Sequence, residues 1–225
     1  TAGGALDGIL VDGTLNGGFM FSAAAGNGDV DINGVVGGTT ALASLNILAN
    51  NVTLNGIGIA FGPGVIGNTN VAALDTLTFF GSTYTANTQT YAGANGIFID
   101  TDATFRSTDD NITFFNALRG VTGDEDLTIN AGTATISVAE LGTEADGSDP
   151  VAPRLGDIIL TADEADLNGS IYGSTILLQP FTNTLAINVG GTDNNTAALD
   201  LTATELAFLA PTQPGLGLGS ITIGR

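Results

Sequence analysis

One short unit recurs along this chain: a run in which every second residue is apolar, closed by Asn-Gly or by paired glycines. In "NILANNVTLNG" (46–56) and "IILTADEADLNG" (158–169), Ile47, Ala49, Leu54, Asn55 and Gly56 match Leu160, Ala162, Leu167, Asn168 and Gly169 in register. A third copy, "TINAGTATI" (128–136), puts Ile129, Ala131 and Ile136 at the same offsets. "DVDINGVVGG" (29–38) and "NITFFNALRG" (111–120) are looser relatives. Period-two alternation buries one face of a strand and wets the other. The copies are imperfect and unevenly spaced, so they describe one strand type used repeatedly, not duplicated globular domains.

Asn-Gly between two strands normally reads as a hairpin tip. Here the alternation runs on past it, as in "VTLNGIGIAF" (52–61). The dipeptide is therefore read as a corner of a coil: Asn tolerates left-handed backbone, and its amide can bond to a like amide one layer up. Stacked layers about 4.8 Å apart would set like side chains over one another. With about 20 residues per layer, 225 residues predict an all-β, right-handed parallel β-helix of about ten tiers, one domain over 1–225 and about 50 Å long. One stretch breaks the pattern. Thr202 and Glu205 form a capping box ahead of Leu206 and Leu209, with Pro211 and Pro214 beyond. A single short helix near 202–209 is expected there as a lid or side excursion.

The 23 acidic residues face four Arg and no Lys, a formal charge of −19. Nucleic-acid binding depends on cationic side chains that displace counterions, so that partner is excluded. An anionic membrane surface would repel the chain, and no run of 18 apolar residues offers a span. The charge keeps a strand-rich, 43% hydrophobic chain soluble. No Cys, His or Lys is present. That removes thiolate and Ser-His-Asp nucleophiles, Lys Schiff bases, His/Cys zinc sites and the Walker phosphate loop.

Carboxylate-pair chemistry survives, as in glycoside hydrolysis. The candidates are Asp100 with Asp102, Asp109 with Asp110, and Asp124-Glu125-Asp126. Asp100 and Asp102 are read as two apart on one strand, both facing outward; the plain alternative for all of these is a solvated strand face. Calcium is the other option. "TGDEDLT" (122–128) and "GTEADGSDP" (142–150) are acidic turns able to offer oxygens to a hard cation, although neither matches an EF-hand loop. No other cofactor is implied. Asn33, Asn55 and Asn168 are either ligand contacts or stacked corner amides. In Phe79-Phe80 and Phe114-Phe115, neighbours on a strand face opposite ways, so one of each pair should lie outside. Such a Phe would make a lateral contact with another filament or a host surface, or sit under a loop.

At this level the chain resembles the repeats of long bacterial surface proteins of the filamentous-haemagglutinin type. The residues carrying the likeness are Gln89-Thr90-Tyr91-Ala92-Gly93, Ile112-Thr113-Phe114, Leu127-Thr128-Ile129-Asn130-Ala131-Gly132, "VVGGTTALASL" (35–45), Glu205-Leu206 and Ile221-Thr222-Ile223-Gly224. They span residues 28 to 225 in the family's usual order. The resemblance implies a right-handed parallel β-helix, exported and displayed outside the cell, structural or adhesive, with no shared catalytic residue. The chain is short for that family and lacks its N-terminal secretion module. Thr1 in place of Met is read as a removed leader or as a segment of something longer. Arg225 run into a following Thr1 scans as further units, so a head-to-tail homopolymer is expected. A solitary adhesin stalk touching glycans or a host surface, and a polysaccharide-cleaving enzyme, are the alternatives.

Overall fold

The computed structural model describes residues 8–60, 62, 64–142, 154–193, 198–209 and 219–224. The described residues are 59% strand and 3% helix. In order, the first strands are β1 (Ile9–Val11), β2 (Met20–Ala24), β3 (Val30–Val36), β4 (Ser44–Ala49), β5 (Val52–Ile57) and β6 (Thr69–Ala73). Then come β7 (Thr76–Phe79), β8 (Thr83–Thr85), β9 (Gln89–Gly93), β10 (Gly96–Ile99), β11 (Ala103–Arg106), β12 (Ile112–Phe114) and β13 (Leu118–Gly120). The last are β14 (Leu127–Val138), β15 (Leu155–Leu167), β16 (Gly173–Gln179), β17 (Ala186–Gly191), β18 (Ala198–Thr202) and, after the helix α1 (Ala203–Phe208), β19 (Ser220–Ile223).

All pairings between these strands are parallel, 17 strands forming one sheet and β17–β18 a second. The large sheet resolves into three columns. In the first, Ile9, Val30, Val52, Leu77, Ile97 and Leu118 stand in register, followed by Leu141 and Ile171 through single bridges. The second runs Leu15, Val36, Ile57, Tyr84, Phe105, Ile129, Leu160, Leu178, Ile223. The third runs Ala23, Ile47, Val71, Tyr91, Phe114, Val138, Leu167. Side chains bonded between neighbouring tiers lie mostly 20 to 25 residues apart in sequence. This is the stacking of like on like that alternation called for, and β4 shows it directly: Leu45, Ile47 and Ala49 are buried while Asn46 and Leu48 are exposed.

Five aromatic rings fill the middle of the stack. Phe79, Tyr84, Tyr91, Phe105 and Phe114 are all essentially sealed from solvent. Phe105 stacks on Tyr84 at 4.7 Å and meets Phe79 and Phe114 edge-on at 5.0 Å, the offset and T-shaped arrangements that ring quadrupoles favour. Buried polar atoms among the rings are satisfied: Tyr91 Oη donates to Gln89 Oε1 at 2.9 Å, and Gln89 Nε2 donates to the Arg106 carbonyl at 2.8 Å. Tyr84 Oη donates to the Leu54 carbonyl and accepts from Gly81 N–H.

The Asn-Gly corners behave as corners. Asn33-Gly34 and Asn55-Gly56 lie inside β3 and β5, whose paths pass from the first column to the second without reversing. Tight passages need glycine: a Cβ on Gly81 would fall on the Asn55 carbonyl oxygen of the tier below. The helix forms where the capping box placed it. Thr202 Oγ1 accepts from Glu205 N–H at 3.2 Å, and Glu205 Oε2 accepts from Thr202 N–H at 2.8 Å. Beyond this helix, Pro211 and Pro214 lie outside the described residues, as do Thr1 and Arg225.

Candidate functional site

The described acids singled out in the sequence sit outside the strands, in the segments that link them. Asp100 and Asp102 are not on a strand; they occupy the turn between β10 and β11. The strand reading failed because alternation continues through "FIDTDATF" while the backbone bends at Asp100 and Thr101. Asp102 Oδ1 accepts from Asp126 N–H at 3.0 Å, and Asp126 Oδ1 from Asp157 N–H at 2.6 Å. Asp157 Oδ1 accepts from Thr175 Oγ1 at 2.8 Å. These carboxylates thus form a ladder up the stack: Asp102 holds the residue before β14, Asp126 the start of β15 and Asp157 the start of β16.

Asp109 holds a left-handed backbone (φ 58°) and accepts from Thr133 N–H at 2.9 Å; its neighbour Asp110 exchanges hydrogen bonds with Ser107 Oγ. In the 122–128 turn, Glu125 is buried at 4% exposure. Its carboxylate accepts from Thr122 Oγ1 and N–H, both at 2.7 Å, and from Gly123 N–H at 2.9 Å. Burial alone would raise its pKa, but these donors outweigh it and hold the carboxyl below its usual 4.5. A carboxylate wrapped this way holds a turn shut and has little capacity left for a cation. The second acidic turn lies, beyond Gly142, outside the described residues.

Asn33 and Asn55 stack as neighbours, Asn55 Nδ2 donating to the Asn33 carbonyl at 2.6 Å and Asn33 Nδ2 to Asp12 Oδ1 at 2.9 Å. Asn168 stands apart, donating to Ser137 Oγ at 3.3 Å. The amide-on-amide contact is made elsewhere, between Asn70 and Asn46 at 3.0 Å. Of the paired aromatics, Phe114 is buried and Phe115 is 63% exposed, whereas Phe79 is buried and Phe80 half-buried. Phe115 continues an outward apolar row with Leu48, Ala72 and Ala92.

Tertiary structure assembles one acidic group that no local motif announces. Glu164 of β15, Asp200 of β18 and Asp193 after β17 bring carboxylate oxygens within 4.8 Å of one another. Asp200 is 3% exposed and accepts from Asn188 Nδ2 at 2.7 Å. Beside them a cleft of about 470 Å³ is lined by Asp166, Leu167, Asp193, Thr202, Glu205 and Phe208, among others. Burial, then Asp193, Asp166 and Asp200, push the Glu164 carboxyl up to about 7, against the pull of Ala165 N–H. Asp166 is raised by burial and by Asp193 and Glu205. The sole sequence signal was "ADEAD" (162–166), an acid-rich variant of the repeated unit.

No family model, curated protein or solved structure matches the chain. Among the described residues, no helix is long and apolar enough to cross a membrane.

Proposed function

We propose that this chain winds as a right-handed parallel β-helix and serves as an extracellular structural rod of the filamentous-haemagglutinin kind. Its roles would be cell-surface architecture, adhesion or biofilm. The observation that carries the reading is the unbroken parallel register from Leu15 to Ile223, each strand templating the next about one tier on. A parallel connection within one sheet is right-handed in nearly all known cases, which supports the hand. Asp102, Asp109 and Glu125, three of the acids that could have served hydrolysis, are engaged by backbone N–H groups of Asp126, Thr133 and Thr122, which favours a scaffold over a polysaccharide-cleaving enzyme.

Among the described residues, β1 pairs only with β3, β2 only with β4, and β19 only with β16. Open parallel edges template further strands. On this reading copies stack end to end into an open fibre, as head-to-tail contacts that do not close must. The row ending at Phe115 would make lateral contact with a neighbouring fibre.

Negative-stain imaging across a concentration series tests the assembly: rods that lengthen with concentration are expected. Isolated particles at the highest concentration would refute polymerisation and leave the stalk reading. Release of reducing ends from polysaccharides, abolished in an Asp100→Asn/Asp102→Asn variant, would instead establish the enzyme.

A further inference from the structure

The second sheet meets the large one through carboxylates on both sides. β15 contributes Glu164 and Asp166; β17 and the residues after it contribute Asn188 and Asp193; β18 contributes Asp200; α1 contributes Glu205. β14, packed on the other edge of β15, has no titratable residue. Glu205 is already engaged, accepting from Leu167 and Thr202 N–H groups at 3.0 and 2.8 Å. Glu164 differs. Its Oε1 accepts from Ala165 N–H at 3.0 Å, but Oε2 is sealed from solvent and has no hydrogen-bond donor among the described residues.

An ionised oxygen in that position, facing two more carboxylates, is costly by desolvation and by like-charge repulsion. A proton relieves both costs, because a neutral carboxyl on Glu164 carries no charge and can turn a donor toward the carboxylate oxygens of Asp193 and Asp200, which lie within 4.8 Å. We propose that β17, β18 and α1 form a proton-latched flap, held against β15 by a proton on Glu164 shared with Asp200 or Asp193 and loosened when that proton leaves.

The sign follows from linkage. A carboxyl whose folded pKa lies above its unfolded value stabilises the docked state fully at pH below about 4.5, and that contribution is lost as pH rises toward about 7. The surrounding scaffold would not feel the change, since a stacked repeat couples mainly to its neighbours. The flap would therefore be shut in acidic surroundings and looser near neutrality.

Hydrogen exchange on the intact chain, at pH 5 and pH 7.5 in EDTA and corrected for intrinsic rates, tests this. Segments 186–193 and 198–209 should lose about tenfold or more of their protection at pH 7.5, while β4, β9 and β12 keep theirs. Glu164→Gln, which mimics the protonated state, should stay protected at both pH values; Asp200→Asn should blunt the pH response. Equal protection of the wild-type flap at the two pH values would overturn the latch. So would a Glu164→Gln variant that still opens with pH while β4 and β9 remain protected. If millimolar calcium closes the flap and chelation opens it even at pH 5, the carboxylates hold a cation and the proton latch is wrong.

Discussion

Replacing Phe105 by Ala tests whether like-on-like stacking is what stabilises the chain. The side chain is fully buried, and its transfer from water is worth about 1.5–3 kcal/mol. Removal also leaves a cavity, which brings measured Phe→Ala losses to about 3–5 kcal/mol. Phe105 touches four other rings, at 5.0 Å (Phe79), 4.7 Å (Tyr84), 5.6 Å (Tyr91) and 5.0 Å (Phe114). Each such contact adds about 0.5–1.5 kcal/mol beyond area, so the upper end of that range is expected. The matched control is Phe115→Ala: 63% exposed, it should change stability by no more than about 0.5 kcal/mol. Urea unfolding followed by circular dichroism measures both. A Phe105→Ala loss below about 1.5 kcal/mol, or equal losses for the two variants, would refute the idea that the rings form the central core.

Gly81→Ala should cost about 1–3 kcal/mol or more, read as a drop in Tm, because a Cβ there meets the Asn55 carbonyl and the backbone must shift. Glu125→Gln should lose about 1.5–3 kcal/mol at pH 7, since the amide replaces a charged acceptor of several N–H and O–H donors. The wild-type contribution exists above the unfolded carboxyl value of 4.5 and fades as pH falls below it. The gap between the urea midpoints of the two proteins should therefore narrow as pH falls below 4.5, and a constant gap would show that ionisation is irrelevant. Thr202→Ala should remove the helix cap at a cost of about 1 kcal/mol, seen as faster amide exchange confined to 203–209.

Much of the architecture was legible because it is local. Alternation at Leu45, Ile47 and Ala49 states which side chains face inward wherever the strand is placed. Asn-Gly inside a continuing apolar run marked the corners at 33–34 and 55–56, and the Thr202/Glu205 pair marked the helix, since capping needs only residues three apart. Local pattern misled at Asp100 and Asp102, where alternation persists through a bend. It likewise put Asn168 in a ladder with Asn33 and Asn55, although its tier stacks it against Ser137.

What one strand says about itself is carried by its own side chains, and so the strand type, the inward face and the excluded chemistries were all present in the linear order of residues. Which strand lies above which depends on the lengths of the connecting turns, and these vary from tier to tier. Only the folded chain therefore decided that Phe105 stands among four rings, that Asp102 closes the turn at Asp126, and that Glu164 meets Asp193 and Asp200. Those meetings set the burial and the electrostatic field at each carboxylate, and with them whether an acid is a turn closure or a latch.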